Sequence, residues 1–191
     1  MDNRVPELQQ ELYGWLNEFH NERNGIWIDT LRKKFGDDVL DIIKTSVDKY
    51  GLYRWHLETL IKMLELLAEK YGEQIYEIVY EKQRSDRYEQ GKQLAKEKGS
   101  NTLKDLTNVF TGGDDTKIIE KGDGYVLIKS GMNCLPGRIA YDIKKKDIIY
   151  NLHCGTDSVL TKGFNENLCC ELVQTRMDGN DYCIHKIYIK E

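Results

Sequence analysis

The cysteines of this chain are the residues best suited to chemistry, and all of them lie in its last third. They are Cys134, Cys154, Cys169, Cys170 and Cys183, and no cysteine precedes them. A protein thiol can act as a nucleophile, a metal ligand, a redox partner or a small buried residue. The neighbours of each thiol in the sequence decide which of these roles it can take.

Cys134 has the strongest local argument for reactivity. It precedes Leu135-Pro136-Gly137, and a proline suits the first turn of a helix. A cysteine at that point lies beside unpaired backbone N–H groups at the positive end of the helix dipole, which stabilise a thiolate and lower its pKa. The alternative is a small buried residue. Both interpretations predict a helix that begins directly after Cys134.

Cys154 is followed three residues later by Asp157, a spacing that places both on one face of a helix. The carboxylate could then accept a proton, or hold an amine or amidine by charge-assisted hydrogen bonds. Gly155 weakens such a helix, and Asp157 could instead cap the next stretch. The neighbouring His153 points elsewhere on a helix, and we expect it on the surface.

Cys183 and His185 alternate on a predicted last strand, so both face the same side. A tight turn at Gly179-Asn180 would bring Thr175 and Arg176 close to them. Cys-x-His is not a recognised zinc spacing, and the chain has no CxxC units, so we predict no metal site. The pair is expected either in the core, with His185 half-buried, or against a small ligand.

The elements that must position these residues fall into two groups. Apolar residues at spacings of three and four predict helices over residues 8–19, 29–35, 38–47 and 52–79, the last interrupted at Gly72. The polar residues 81–99 are typical of a solvated helix with charge pairs one turn apart.

The second part of the chain has a different period. It predicts a helix over residues 102–110, a hairpin around Gly122-Asp123-Gly124, helical segments that stop at Gly163, and a final hairpin. The predicted class is α+β, with N-terminal helices followed by a small antiparallel sheet with intervening helices. Residues 1–55 are predicted to be a helical extension and residues 56–191 the α+β domain.

Composition excludes several classes of function. The net charge of -4 does not favour electrostatic binding of nucleic acid, and no apolar run is long enough to span a membrane. The polar N-terminus lacks a signal peptide, so we expect a cytoplasmic protein with reduced thiols. No phosphate loop, dinucleotide fingerprint or zinc-protease motif is present, so no cofactor is predicted.

The C-terminal third carries a skeleton of residues that is similar to a known family. The skeleton consists of Cys154, Asp157, Gly163-Phe164-Asn165, Leu168, Thr175, Gly179 and Cys183. It resembles the L-2-amino-thiazoline-4-carboxylic acid hydrolase family, and Cys134-Leu135-Pro136 looks like that family's earlier cysteine-proline element. Glu166-Asn167 stand where the family has a proline region, and His185 stands where an aromatic residue is usual.

The resemblance implies a hydrolase that opens a small cyclic amidine amino acid. Cys134 or Cys154 would attack the amidine carbon, and Asp157 would hold the ring nitrogen or manage the proton. The substrate would be bound by four residues, Asn165, Thr175, Cys183 and His185. The alternative is a non-catalytic domain that senses a small ligand, a metal or haem, and that could form a homodimer through its N-terminal helices.

Overall fold

A computed structural model describes residues 22–50, 57–113, 115–131 and 134–190. The chain divides into two compact units, Met1–Gln83 and Arg84–Glu191, which are taken separately below. The helix predicted over residues 8–19 and the domain boundary predicted at residues 55/56 lie outside the described residues. None of the described helices is long and apolar enough to cross a membrane.

The first unit is helical in its described part. It contains α1 (Glu22–Phe35), α2 (Asp38–Tyr50), α3 (Leu57–Tyr71) and the start of α4 (Gln74–Lys98). Gly36 and Gly72 follow α1 and α3 with φ of 94° and 88°, a left-handed conformation that ends a helix and favours glycine. The predicted breaks at both glycines are therefore confirmed. The buried side chains of this unit include Leu31, Leu40, Ile61, Leu64 and Leu67.

The second unit combines the end of α4 with short helices and a sheet. The helices are α5 (Leu103–Phe110), α6 (Leu135–Ile143), α7 (Lys146–Ile149) and α8 (Thr156–Phe164), with a π-helical turn at Tyr150–Cys154 between α7 and α8. The strands are β1 (Thr116–Gly122), β2 (Tyr125–Ser130), β3 (Leu168–Gln174) and β4 (Cys183–Ile189). The molecule is α+β, as predicted.

The four strands form one antiparallel sheet in the order β1-β2-β4-β3. Gly122 pairs with Tyr125, so the first hairpin turns at Asp123-Gly124, and Gly124 has the positive φ that this turn needs. A short 3₁₀ helix, Arg176–Asp178, begins the connection from β3 to β4. Both predicted hairpins are confirmed.

One face of the sheet is buried, and its side chains decide where the thiols lie. Val126, Ile128 and Ile187 from β2 and β4 pack there against Leu160 and Phe164 of α8. Side chains two residues apart share a face of a strand, so the same face carries Ser130, Cys183 and His185. Ser130 pairs directly with Cys183, and Ile128 pairs with His185. This inner face therefore ends in a polar, thiol-bearing corner.

Candidate functional site

Asp157 is the centre of a buried polar network in the second unit. It lies in the first turn of α8, and its Oδ1 accepts a hydrogen bond of 2.8 Å from Nη2 of Arg87. Its Oδ2 lies 3.3 Å from Nε2 of His185. Burial alone would raise the pKa of Asp157, but the hydrogen bond to His185 and the charge of Arg87 hold that pKa below its ordinary value. The carboxylate is therefore ionised at neutral pH.

Arg87 comes from α4 and uses most of its guanidinium in this network. Besides Asp157, it donates to Oγ1 of Thr156 at 3.2 Å and to Oε1 of Gln90 at 2.9 Å. Its side chain is only 14% exposed. The segment is helical as predicted, but the expectation of a solvated face is wrong at Arg87.

Two glycines bring Arg87 within reach of Asp157. Gly91 lies one turn after Arg87 on α4, and it packs against the backbone of α8 near Gly163. Neither position has room for a Cβ atom, so the two helices cross at backbone contact. The sequence feature that could have indicated a buried Arg87 is therefore the pair of helical glycines, Gly91 and Gly163.

His185 connects the carboxylate to the end of strand β2. Its Nδ1 lies 3.0 Å from Oγ of Ser130, and its ring centroid lies 6.0 Å from that of Phe110. The side chain of His185 is 11% exposed, more buried than the half-buried position predicted. Cys183 and His185 do share one face of β4, as predicted, and Ser130 is a site residue that the sequence analysis missed.

Cys134 begins helix α6 as predicted, with Pro136 in the first turn. Its pKa, however, moves in the opposite direction from the one predicted. Burial of the thiol raises the pKa, and this outweighs the backbone N–H of Gly137, which favours the thiolate. The expectation of a lowered pKa at Cys134 is therefore wrong.

Cys154 ends the π-helical turn, and Asp157 follows it in α8. The N–H of Gly155 bonds to the carbonyl of Tyr150 at 2.7 Å, and Gly155, not Asp157, occupies the capping position. Cys154 and Asp157 thus lie in successive helical elements, the π-helical turn and α8, joined by right-handed backbone at Gly155. Burial, followed by the nearby groups of Cys134 and Asp157, raises the pKa of Cys154 far above its ordinary value.

Cys183 sits where the sheet meets the loop that leads to α6. Its sulfur accepts from the backbone N–H of Arg176 at 3.5 Å and lies 4.0 Å from Oγ1 of Thr175, as the hairpin predicts. The Arg176 guanidinium donates at 3.2 Å to the carbonyls of both Gly131 and Cys134. The connection between β3 and β4 is therefore tied to the loop that carries Cys134.

The remaining predicted residues are distributed as follows. Several of these groups lie close enough for one charge to affect the pKa of another. Besides burial, the pKa of Cys154 is raised by Cys134, Asp157 and Cys183, and that of Cys134 is raised by Cys183. Asn165 lies at the other end of α8, where it bonds to the carbonyl of Asn101 and the N–H of Asn167. The structure thus brings His185 and Cys154 near Asp157 and Thr175 near Cys183, but it does not bring Asn165 there.

Cys169 and Cys170 project from opposite faces of β3, as neighbours on a strand must. Cys170 is on the inner face near Thr161, and burial raises its pKa to about 12. His153 is exposed, as predicted. Within the described ranges, no group of three or more His, Cys, Asp or Glu side chains is arranged to hold a metal ion.

Comparison with known proteins leaves the family open. No protein-family model and no curated protein matches this chain. Two solved structures are similar. The first comes from a study that probes the function of heme distortion in the H-NOX family; it is 16% identical in sequence, and the match covers 87% of this chain and 92% of that chain with a TM-score of 0.43. The other concerns the molecular mechanism of H-NOX activation (16% identity, 89% and 96%, TM-score 0.41). Both TM-scores lie below 0.5, so function is inferred from the site's own residues.

Proposed function

We propose that this chain is a small-molecule-binding domain whose ligand presents an amine or amidine group to Asp157. The observation that carries the proposal is an ionised carboxylate that lies in the second unit near partly buried thiols, whose raised pKa values keep them neutral. A site for a small molecule commonly combines a largely apolar lining with a few fixed polar groups, and this corner has that composition.

Asp157 retains the capacity to bind a ligand although it already has two partners. A carboxylate offers about four lone-pair positions, and Arg87 and His185 occupy one on each oxygen. The Asp157 side chain is 23% exposed, more than either partner, so part of it faces away from both. An N–H donor on the ligand would form a charge-assisted hydrogen bond there.

The thiols support ligand binding better than thiolate chemistry. Burial raises the pKa of both Cys134 and Cys154, so both are neutral near pH 7. A neutral thiol is a small, polarizable, weakly polar surface rather than a nucleophile. Cys134, Cys154 and Cys183 would therefore line the ligand's less polar side.

A metal or haem ligand fits this site less well than an organic one. His185 already has Asp157 at one ring nitrogen and Ser130 at the other, so it presents no free lone pair to iron. A thiolate ligand would first have to lose a proton that burial of the sulfur helps to retain. The experiment below therefore includes a separate titration with haem, which we expect not to require Asp157.

A second candidate function is hydrolysis of a small cyclic amidine, the activity that the family resemblance implies. The observation that favours it is the helical alignment of Cys154 with Asp157, together with the neighbouring Cys134. In this candidate Asp157 binds the ring nitrogen while a thiol attacks the amidine carbon. Ligand binding at Asp157 is common to both candidates, and turnover separates them.

The test is calorimetric titration of the purified full chain with L-2-amino-thiazoline-4-carboxylic acid and, separately, with haem. We expect the thiazoline to bind, and Asp157→Asn to weaken its binding about 10- to 100-fold, since a charged hydrogen bond contributes about 1.5–3 kcal/mol. The matched control is Asp147→Asn, which changes an exposed carboxylate of α7. Thiazoline binding that is absent or unaffected by Asp157→Asn would contradict the proposal, as would haem binding that requires Asp157.

Turnover is read in the same samples by chromatography of the products. Opening of the thiazoline by the wild-type chain, and its loss in Cys134→Ser or Cys154→Ser, would favour the hydrolase. Binding without turnover would favour a sensor domain.

A further inference from the structure

Three residues of the site lie in a row, each with a polar atom within 3.3 Å of the next. Oγ of Ser130 lies 3.0 Å from Nδ1 of His185, and Nε2 of the same imidazole lies 3.3 Å from Oδ2 of Asp157. Ser130 ends strand β2 and His185 lies on the adjacent β4, while Asp157 reaches them from α8. Three elements far apart in sequence thus contribute a hydroxyl, an imidazole and a carboxylate in that order.

The ionised carboxylate fixes the direction of these hydrogen bonds. Arg87 and His185 hold the pKa of Asp157 low, so its oxygens only accept hydrogen bonds. Nε2 of a neutral His185 must therefore carry the proton, which leaves Nδ1 as an acceptor for the hydroxyl of Ser130. The hydroxyl donates its proton to a base whose other nitrogen is held by a carboxylate.

We propose that Ser130 is a nucleophile activated by His185 and oriented through Asp157, and that it transfers the acyl group of a small ester to water. Serine-histidine-acid sites are defined by these roles and distances rather than by the order of residues in the chain. This activity is separate from ligand binding, although it uses the same site. The attacking group is a serine hydroxyl rather than a thiol.

The reaction balances with the groups present. Oγ of Ser130 bonds to the ester carbonyl carbon as its proton passes to Nδ1 of His185, and the imidazolium then protonates the departing alkoxide. The products of this half are an acyl-serine and an alcohol. Water then attacks the acyl carbon and gives its proton to Nδ1, and the return of that proton to Oγ of Ser130 releases the carboxylic acid. The net change is one ester and one water to one acid and one alcohol.

The surroundings favour Ser130 over the thiols as the attacking group. Burial keeps Cys134 and Cys154 protonated, and no described hydrogen bond connects either sulfur to an imidazole. Arg87 serves as a positioning residue, because its hydrogen bond holds the Asp157 carboxylate that orients His185. The Ser130 hydroxyl is thus a group that the structure places within hydrogen-bond distance of a histidine base.

The test is labelling of the full-length protein with a biotinylated fluorophosphonate, followed by peptide mass mapping. We expect one labelled serine, at Ser130. Hydrolysis of p-nitrophenyl acetate should show an initial burst and fall at least 100-fold in Ser130→Ala. The control is Ser158→Ala, a half-buried serine of α8 that bonds only to the Gly155 carbonyl among the hydrogen bonds described, and it should label and hydrolyse like the wild type.

Mapping of the wild-type protein decides the question even if Ser130→Ala fails to fold. No label, or a label at any other residue, would overturn the proposal. An activity that depends on Cys134 or Cys154 while Ser130 stays unlabelled would do the same. If Ser130 is unlabelled yet the thiazoline still binds through Asp157, this inference fails and the proposed ligand binding stands.

The role of His185 has a separate readout. Labelling of Ser130 should be lost in His185→Gly and partly restored by added imidazole, which can take the place of the missing base. Labelling of His185→Gly at the wild-type rate without imidazole would show that His185 does not activate Ser130.

Discussion

Gly91 of α4 and Gly163 of α8 cross with their backbones in contact. A Cβ atom on Gly91 would lie 2.1 Å from the carbonyl oxygen of Leu160, and one on Gly163 would lie 2.0 Å from the carbonyl oxygen of Tyr88. Backbone carbonyls held in two helices cannot move aside as a flexible side chain can. This close approach sets the distance between Arg87 and Asp157. Arg87 lies one turn before Gly91 on α4, and Asp157 lies in the first turn of α8.

Gly91→Ala is therefore expected to destabilise the second unit by about 1–3 kcal/mol, the usual cost of overfilling a packed contact. Gly112→Ala is the control, because its Cβ would meet the nearest atoms at 3.6 Å, an ordinary contact. The free energy of unfolding in urea, followed by circular dichroism, measures both. A Gly91→Ala protein as stable as the control would show that the two helices do not need this close contact.

Arg87→Lys is expected to lower the free energy of unfolding by about 1–3 kcal/mol although it keeps the charge. Lysine cannot reproduce the fork that joins Thr156, Gln90 and Asp157, so buried acceptors lose their donors. The matched control is Arg84→Lys, since the side-chain hydrogen bond described for Arg84, to Asn151, is exposed. Equal stability of the two variants, measured in urea, would contradict a structural role for the Arg87 fork.

The architecture was largely readable from local patterns. Glycines 36 and 72 end helices, Asp123-Gly124 makes a hairpin, and Pro136 opens α6 after Cys134, because each feature depends on backbone geometry within a few residues. Alternation on β4 likewise placed Cys183 and His185 on one face. Local rules of this kind do not require knowledge of the partner element.

The electrostatics of the site could not be read in the same way. The lower pKa predicted for Cys134 rests on the helix that follows it in the sequence. In the folded protein, burial of the thiol raises this pKa instead. Arg87 belongs to a polar stretch without an apolar stripe, and Gly91 one turn later is the residue of that stretch that marks close packing. Ser130 becomes notable only because strand pairing sets it beside Cys183 and within reach of His185.

The partly buried Cys154 and the buried Cys170 should resist alkylation. At pH 7.5 we expect iodoacetamide to modify Cys154 and Cys170 at least tenfold more slowly in the folded protein than in urea, because burial raises both pKa values and limits access. Mass mapping of the time course measures each rate. Rapid modification of Cys154 in the folded protein would indicate an accessible thiolate and would restore it as a candidate nucleophile.

The network around Asp157 predicts how stability depends on pH. Its pKa in the folded protein lies below the ordinary 3.8, so its stabilising contribution is present above that value and is lost as pH falls through the folded-state pKa. At pH 7, Asp157→Asn should cost about 3 kcal/mol, since it leaves Arg87 without its charged partner.

The free energy of unfolding should be measured from pH 2 to pH 7 for the wild type, Asp157→Asn and the exposed control Asp147→Asn. The difference between wild type and Asp157→Asn should stay constant near neutrality and shrink below pH 4, because protonation of Asp157 removes the charge that the variant lacks. The control should follow the wild type throughout. A difference that persists undiminished at the lowest pH would mean that shape, rather than the carboxylate charge, makes Asp157 important for stability.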